Sequence, residues 1–105
     1  MAHVAMPGIV WLVSTREAIK NGENTYRLGY TFNDREGRKG SFPNKSIVVY
    51  CGLVLRNRTP YQVCEEVRKV MNRRFKNVAR YGSLHFEGDL RTMVLTIEKI
   101  VDRFN

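Results

Sequence analysis

The sequence has few of the residues that mark metal-binding or disulfide-bonded proteins. Its 105 residues include two cysteines, Cys51 and Cys64, and two histidines, His3 and His85. The cysteine spacing matches no metal or redox motif, so we expect two reduced thiols that pack as small hydrophobic side chains. A zinc site would have to bring together residues that lie far apart in the sequence, and we predict no structural metal.

Long apolar runs are also missing. The longest, IVWLV from residue 9 and IVVYC from residue 47 (extending to Leu55), are far shorter than the roughly 18 apolar residues that indicate a membrane span. The start, MAHVAMPG, lacks the basic segment and cleavage site of a secretory signal. We therefore expect a cytoplasmic protein with no membrane partner. Its length fits one domain over residues 1–105.

The common catalytic motifs are absent as well. The sequence contains no phosphate-binding G-x-x-x-x-G-K-[ST], no G-x-S-x-G and no glycine-rich dinucleotide motif. His85 and Glu87 lie two residues apart on a predicted strand, so they share a face and could form an acid–base pair. No nucleophile accompanies them, which favours a structural role.

Positive charge dominates the sequence and is unevenly distributed. The net charge is +8; residues 56–80 carry eight basic and two acidic side chains, whereas residues 81–105 carry three and four. Clustered cations attract a polyanion through long-range steering and the release of its counterions. Nucleic acid is therefore the leading class of partner, and a surface that charge merely keeps soluble is the plainer alternative.

Two segments in the N-terminal part predict a pair of strands. The run GIVWLVS at residues 8–14 is apolar without alternation, which indicates a strand covered on both faces and central in a sheet. Residues 25–32 alternate in polarity and predict a half-buried strand, antiparallel to the first. The aromatic face of this strand, from Tyr26 to Phe32, is expected to face the core. Residues 15–24 between them predict a long hairpin connection or a single helical turn.

The middle of the chain predicts a loop and a third strand. Residues 33–45 are polar, basic and glycine-bearing, and predict a mobile loop with at most a short helix. Residues 46–55 predict a strand, with a bend at Gly52.

A long helix is predicted from Thr59 to about Gly82. Thr59 suits the N-cap, Pro60 the first helical position and Gln62 the third position of a capping box. Apolar residues then recur at intervals of three and four, so about 20 residues form one amphipathic helix. On a helical wheel, four cations form one outward row opposite the core: Lys69, Arg73, Lys76 and Arg80.

Arg74 is the one cation that falls inside the apolar arc of this helix. An arginine in such a place usually reaches the edge of the core, with its stem covering apolar side chains. The alternative is that it meets a carboxylate or a ligand.

The C-terminal part predicts one more strand and a second helix. Residues 83–89 predict a short strand that ends in a Gly-Asp turn. In residues 90–105 the β-branched side chains favour a strand, while the spacing of the apolar ones favours a helix capped by Asp89, and we expect the helix. The fold class is then α+β, with a small antiparallel sheet of three to four strands packed against one long amphipathic helix and a C-terminal helix.

A pair of short motifs resembles the GIY-YIG nuclease family. GIVW at residues 8–11 is followed by YRLGYT at residues 26–31, as the two N-terminal motifs of that family follow one another. An apolar strand and a glutamate-bearing helix occupy the later places, so the resemblance spans most of the chain. The first motif departs from the family because Val10, followed by Trp11, stands where a tyrosine is expected.

The resemblance implies an α+β domain that cuts DNA phosphodiesters with Mg²⁺ or Mn²⁺. On that basis Tyr26 would position or activate water, Arg38 or Arg35 would stabilise charge on the phosphate, and Glu66 or Glu65 would hold the metal. A metal ion and a guanidinium can both offset the negative charge that grows in a phosphate transition state.

The functional prediction is a small basic nucleic-acid-binding protein, with DNA preferred to RNA and catalytic competence left open. The predicted nucleic-acid-binding residues are Arg38, Lys39, Lys45, Lys69, Arg73, Lys76 and Arg80. The alternative is a non-catalytic protein-binding module or inhibitor, monomeric or homodimeric, that docks on an acidic partner.

Overall fold

The computed structural model describes residues 8–31, 45–55 and 59–105 and confirms the α+β class. The predicted loop between Phe32 and Asn44, with Arg35, Arg38 and Lys39, lies outside the described residues. In chain order the elements are β1 (Gly8–Ser14), α1 (Arg16–Asn21), β2 (Thr25–Thr31), β3 (Ile47–Val54), α2 (Pro60–Arg74), β4 (Lys76–Asn77), β5 (His85–Glu87) and α3 (Leu90–Phe104).

The described strands form one antiparallel sheet in the order β3-β1-β2-β5-β4. It has five strands where three to four were predicted. The strand missed is β4, which is only two residues long. The predicted connection between β1 and β2 contains the helix α1, so its helical alternative is the one observed.

β1 lies inside the sheet, as its unbroken apolar run predicted. It pairs with β2 on one side and with β3 on the other, and Val10 to Val13 are almost fully buried. The register of β3 shifts opposite Leu12 and Val13, between Tyr50 and Val48. Gly52 itself pairs in regular register with Val10, so the irregularity in pairing comes earlier in the strand and the bend at Gly52 stays a prediction.

The start of α2 was predicted correctly and its end was not. Thr59 and Gln62 form the reciprocal capping box, with both hydrogen bonds at 3.1 Å. The helix ends at Arg74 rather than near Gly82, because Phe75 has an extended backbone and the chain then pairs with β5. The Asn77 side chain reinforces this turn by donating to the carbonyls of Ser83 and His85, at 2.9 and 3.1 Å.

α2 and α3 cover one face of the sheet and enclose the core. α3 begins at its Asp89 cap, whose side chain accepts from the Thr92 backbone N–H at 3.0 Å, as expected. Burial of its apolar stripe against α2 and β3 outweighs the strand preference of its β-branched residues. The core includes, from the sheet, Val10, Leu12, Tyr26, Leu28 and Phe86, and from the helices, Val63, Val67, Met71, Met93 and Ile97.

The opposite face of the sheet carries a second, smaller buried group. Trp11 and Val13 point to this face, and Ala18 of α1 is fully buried as well.

Of the two free thiols, Cys64 is buried as predicted, whereas Cys51 is exposed, contrary to the expectation that both would be packed. No helix in the described ranges is long and apolar enough to cross a membrane.

Candidate nucleic-acid interface

The acidic residues of α2 are matched by cations one turn later. Glu65 receives two hydrogen bonds from the Arg68 guanidinium, at 3.0 and 3.1 Å, and these lower the pKa of Glu65. Glu66 faces Lys69, with 3.8 Å between the carboxylate oxygen and the ammonium nitrogen. These pairs locally neutralise the middle of α2, so Lys69 is less available to an anion than the sequence alone indicated.

The predicted outward row of four cations on α2 ends at Arg73, so Lys76 and Arg80 are not part of it. Because α2 ends at Arg74, Lys76 lies on β4 opposite Glu87 of β5. Arg80 follows in the turn between the last two strands, where it bonds to Glu23 and lies 4.9 Å from the ring of Tyr81. Only Lys69 and Arg73 therefore keep the predicted common face on α2, and Lys76 and Arg80 have separate surroundings.

A different basic cluster lies between α2 and α3. The C-terminal halves of the two helices enclose a groove of about 510 Å³, here called the α2–α3 groove. Four of its seven lining residues are exposed cations, and none of these described lining residues is acidic. The lining residues are Val70, Arg73 and Arg74 from α2 and Thr96, Lys99, Ile100 and Arg103 from α3.

The carboxylates of α3 lie away from this groove. Glu98 and Asp102 act on the Tyr50 phenol of β3, whose pKa is raised to about 12 by burial first and then by these two negative charges. Within residues 8–31, 45–55 and 59–105, no ion pair engages Arg73, Arg74, Lys99 or Arg103. The positive charge of the groove is thus left uncompensated by the described part of the chain.

Arg74 was predicted to reach the edge of the apolar arc, and it does so. It is exposed and lines the groove beside the half-buried Val70. Lys99 and Arg103 were not among the predicted binding residues, although they lie four positions apart on one helix. Their spacing was the available signal, since residues four apart share a helix face.

The residues suggested by the GIY-YIG resemblance are only partly described. Tyr26 lies on β2 in the core under the helices and is 9% exposed, whereas Glu66 is exposed on α2. Their side chains share no hydrogen bond among the described residues. Arg38 and Lys39 lie outside that part of the chain, and Lys45 is exposed at its margin with a φ of 59°.

Glu66 is the carboxylate that the resemblance assigns to Mg²⁺ or Mn²⁺. Its nearest charged partner is Lys69, and the described ranges contain no group of three or more His, Cys, Asp or Glu side chains that could hold a metal ion. The resemblance assigns the metal to a single carboxylate, so the role of Glu66 stays a prediction.

The face of the sheet opposite the helices holds a second polar cluster. Arg27 of β2 lies across from His85 of β5, and its guanidinium is 5.8 Å from the Trp11 ring. Burial, and then the charge of Arg27, lower the pKa of His85 and so favour the neutral imidazole. A cavity of about 370 Å³ lies beside them, lined by both residues and by the turn from Tyr81 to Leu84.

This cluster is tied to α1 by hydrogen bonds. Glu23 accepts from the Tyr81 hydroxyl, from Arg80 and, at 3.2 Å, from the Asn21 amide. The Tyr81 hydrogen bond is the first cause of the lowered pKa of Glu23.

His85 and Glu87 share this face of the sheet, as predicted. His85 lies across from Arg27, and Glu87 lies between Thr25 of β2 and Lys76 of β4.

Comparison of the chain with protein-family models, with curated proteins and with solved structures finds no match. Membership of the GIY-YIG family therefore stays a prediction from the two motifs. The function proposed below rests on the exposed cations of the α2–α3 groove.

Proposed function

We propose that this protein binds nucleic acid, with DNA preferred to RNA, and that the α2–α3 groove is its main contact with the phosphate backbone. The observation that carries the proposal is the set of four exposed cations in this groove, with no carboxylate among the described lining residues. Arg73 is the only one of the sequence-predicted binding residues in the set. The preference for DNA comes from the GIY-YIG resemblance.

A plainer role for these cations is to compensate the negative ends of the two helices. Each helix C-terminus carries a charge of roughly −0.5, so two ends call for about one positive charge. The groove has four cations, which leaves most of the charge for an external anion. Phosphate groups spaced along a nucleic acid match such a cluster, since each contact releases counterions.

The first test is DNA binding by Arg73→Gln/Arg74→Gln and by a control, Arg16→Gln/Lys20→Gln. All four residues are exposed and both pairs lower the net charge by two, but the control pair lies on α1. We expect the groove pair to weaken binding to two unrelated DNA sequences by about tenfold and the control pair by much less, because phosphate contacts are local and carry no sequence information. Equal losses from both pairs would reduce the proposal to diffuse attraction by net charge.

The same cations could meet an acidic protein, which is the alternative predicted from the sequence. Purification from a lysate with and without nuclease treatment separates the two cases. We expect the material that co-purifies to be lost after nuclease treatment. A stoichiometric partner that survives this treatment and competes with DNA would favour the alternative.

A further inference from the structure

The α2–α3 groove is larger than a single phosphate group requires. Its volume of about 510 Å³ lies in the range of pockets that enclose whole small molecules, roughly 300–1,000 Å³. Space remains, then, for the rest of a nucleotide once a phosphate is paired with the cations.

The floor of the groove is less polar than its rim. Thr96 and Ile100 are buried and Val70 is half buried, whereas all four cations are exposed. The Thr96 hydroxyl donates to the Thr92 carbonyl at 2.7 Å, so it is already engaged within α3. A ligand that reaches the floor meets mainly aliphatic surface, while its charged groups stay at the rim.

The cations come from both walls of the groove. Arg73 and Arg74 belong to α2, and Lys99 and Arg103 belong to α3. Packed helices lie about 8–10 Å apart between their axes, so a ligand that contacts both walls must be narrow. A single nucleic-acid strand meets this requirement. In a duplex, pairing holds the bases inside, and the stiff paired backbones keep its sugars from entering a groove this narrow.

We infer that the α2–α3 groove binds a single-stranded segment of nucleic acid, with phosphates on the four cations and sugars on the aliphatic floor. This inference rests on the proposed function and adds the form of the ligand. The described lining residues include no aromatic side chain. Base stacking, which many single-strand-binding proteins use, is therefore not available in this groove, and binding should depend little on base sequence.

The test compares a labelled 12-nucleotide single strand with the duplex of the same sequence by fluorescence anisotropy. Inorganic polyphosphate, which has no sugar or base, serves as competitor. The variants are Lys99→Gln/Arg103→Gln in the groove and Arg16→Gln/Lys20→Gln as the control, all at exposed positions. Circular dichroism and the fluorescence of Trp11, the only tryptophan, verify that each variant is folded.

We expect the single strand to bind more tightly than the duplex and the groove pair to weaken it about tenfold, with a much smaller loss for the control. The salt slope of single-strand binding should fall by about 1.4 in the groove pair, at roughly 0.7 per phosphate contact. We also expect polyphosphate at equal phosphate concentration to compete poorly, because it lacks the groups that contact the floor.

Three other outcomes overturn the inference. If the duplex binds as tightly as the single strand and responds to the groove pair, the groove takes backbone of either form, and only the proposed function survives. If polyphosphate competes as well as the oligonucleotide, the floor makes no contact and the single-strand inference fails. If no nucleic acid binds in a salt-dependent way, the proposed function fails as well.

Discussion

The indole of Trp11 donates a hydrogen bond from its Nε1 to the Oγ1 of Thr31 at 3.0 Å, across the neighbouring strands β1 and β2. Its ring lies directly over Gly29, where an added Cβ would be 2.2 Å from the Trp11 Cη2 atom. Only a glycine at position 29 leaves room for the Trp11 ring. This contact joins the two motifs that resemble the GIY-YIG pair, since Trp11 belongs to the first and Gly29 to the second.

Gly29→Ala should therefore destabilise the protein by about 1–3 kcal/mol, because overpacking forces the ring or the strand to move. Gly52→Ala is the matched control on β3, where the added Cβ would meet the end of the half-buried Tyr50 side chain, which can turn aside. Urea unfolding followed by Trp11 fluorescence measures both changes. A Gly29→Ala variant as stable as Gly52→Ala would contradict the described packing.

The capping box at the start of α2 gives a second prediction. Thr59→Ala should lower the free energy of unfolding by about 1 kcal/mol, since the backbone N–H of Gln62 loses its acceptor. Thr59→Ser keeps the hydroxyl and should lose much less. Thermal or urea unfolding distinguishes the variants, and similar losses from both would show that the cap does not act through this hydroxyl.

His85 should make stability depend on pH near neutrality. Its pKa is lowered in the folded protein by burial and by the charge of Arg27, which outweigh the opposing effects of the Gly82 backbone and Glu17. At a pH just below the unfolded pKa of about 6.5, the unfolded state therefore binds more protons than the folded state. Stability should then fall as the pH drops through about 6.5 towards the lower folded pKa. In His85→Asn this part of the slope should disappear. An unchanged slope between pH 7.5 and 5.5 would refute the assignment to His85.

Catalysis is a prediction of the family resemblance alone, and it is tested separately from binding. Supercoiled DNA is incubated with Mg²⁺ or Mn²⁺ and either the wild-type protein or Glu65→Gln/Glu66→Gln. We expect DNA binding to persist in the variant and in a metal chelator, because the groove cations are side chains that need no metal. If the protein is a nuclease, nicking should require the metal and should be lost in the variant; equal nicking by both would point to a contaminant.

Local signals predicted those parts of the fold that depend on neighbouring residues. The start of α2 follows from Thr59, Pro60 and Gln62, and the interior place of β1 follows from its unbroken apolar run. The end of α2 could not be predicted in this way, because Val78 and Tyr81 continue the helical spacing. It is decided by the pairing of β4 with β5, which are separated in the sequence.

The basic α2–α3 groove could not be predicted from charges summed over stretches of the chain. Residues 81–105 sum to a slightly negative charge, although Lys99 and Arg103 line the groove and Glu98 and Asp102 act on Tyr50 instead. A regional sum cannot separate two faces of one helix. A charge count by helical face would have found the pair on α3, but their position beside Arg73 and Arg74 depends on how the two helices pack.

The most direct test of the account is the salt dependence of single-stranded DNA binding by the wild type and by a variant with Arg73, Arg74, Lys99 and Arg103 all changed to glutamine. We predict that the slope of log Kobs against log salt becomes shallower by about 2.8, at roughly 0.7 for each lost phosphate contact. A variant that folds like the wild type and keeps its slope would contradict the claim that the α2–α3 groove binds nucleic acid.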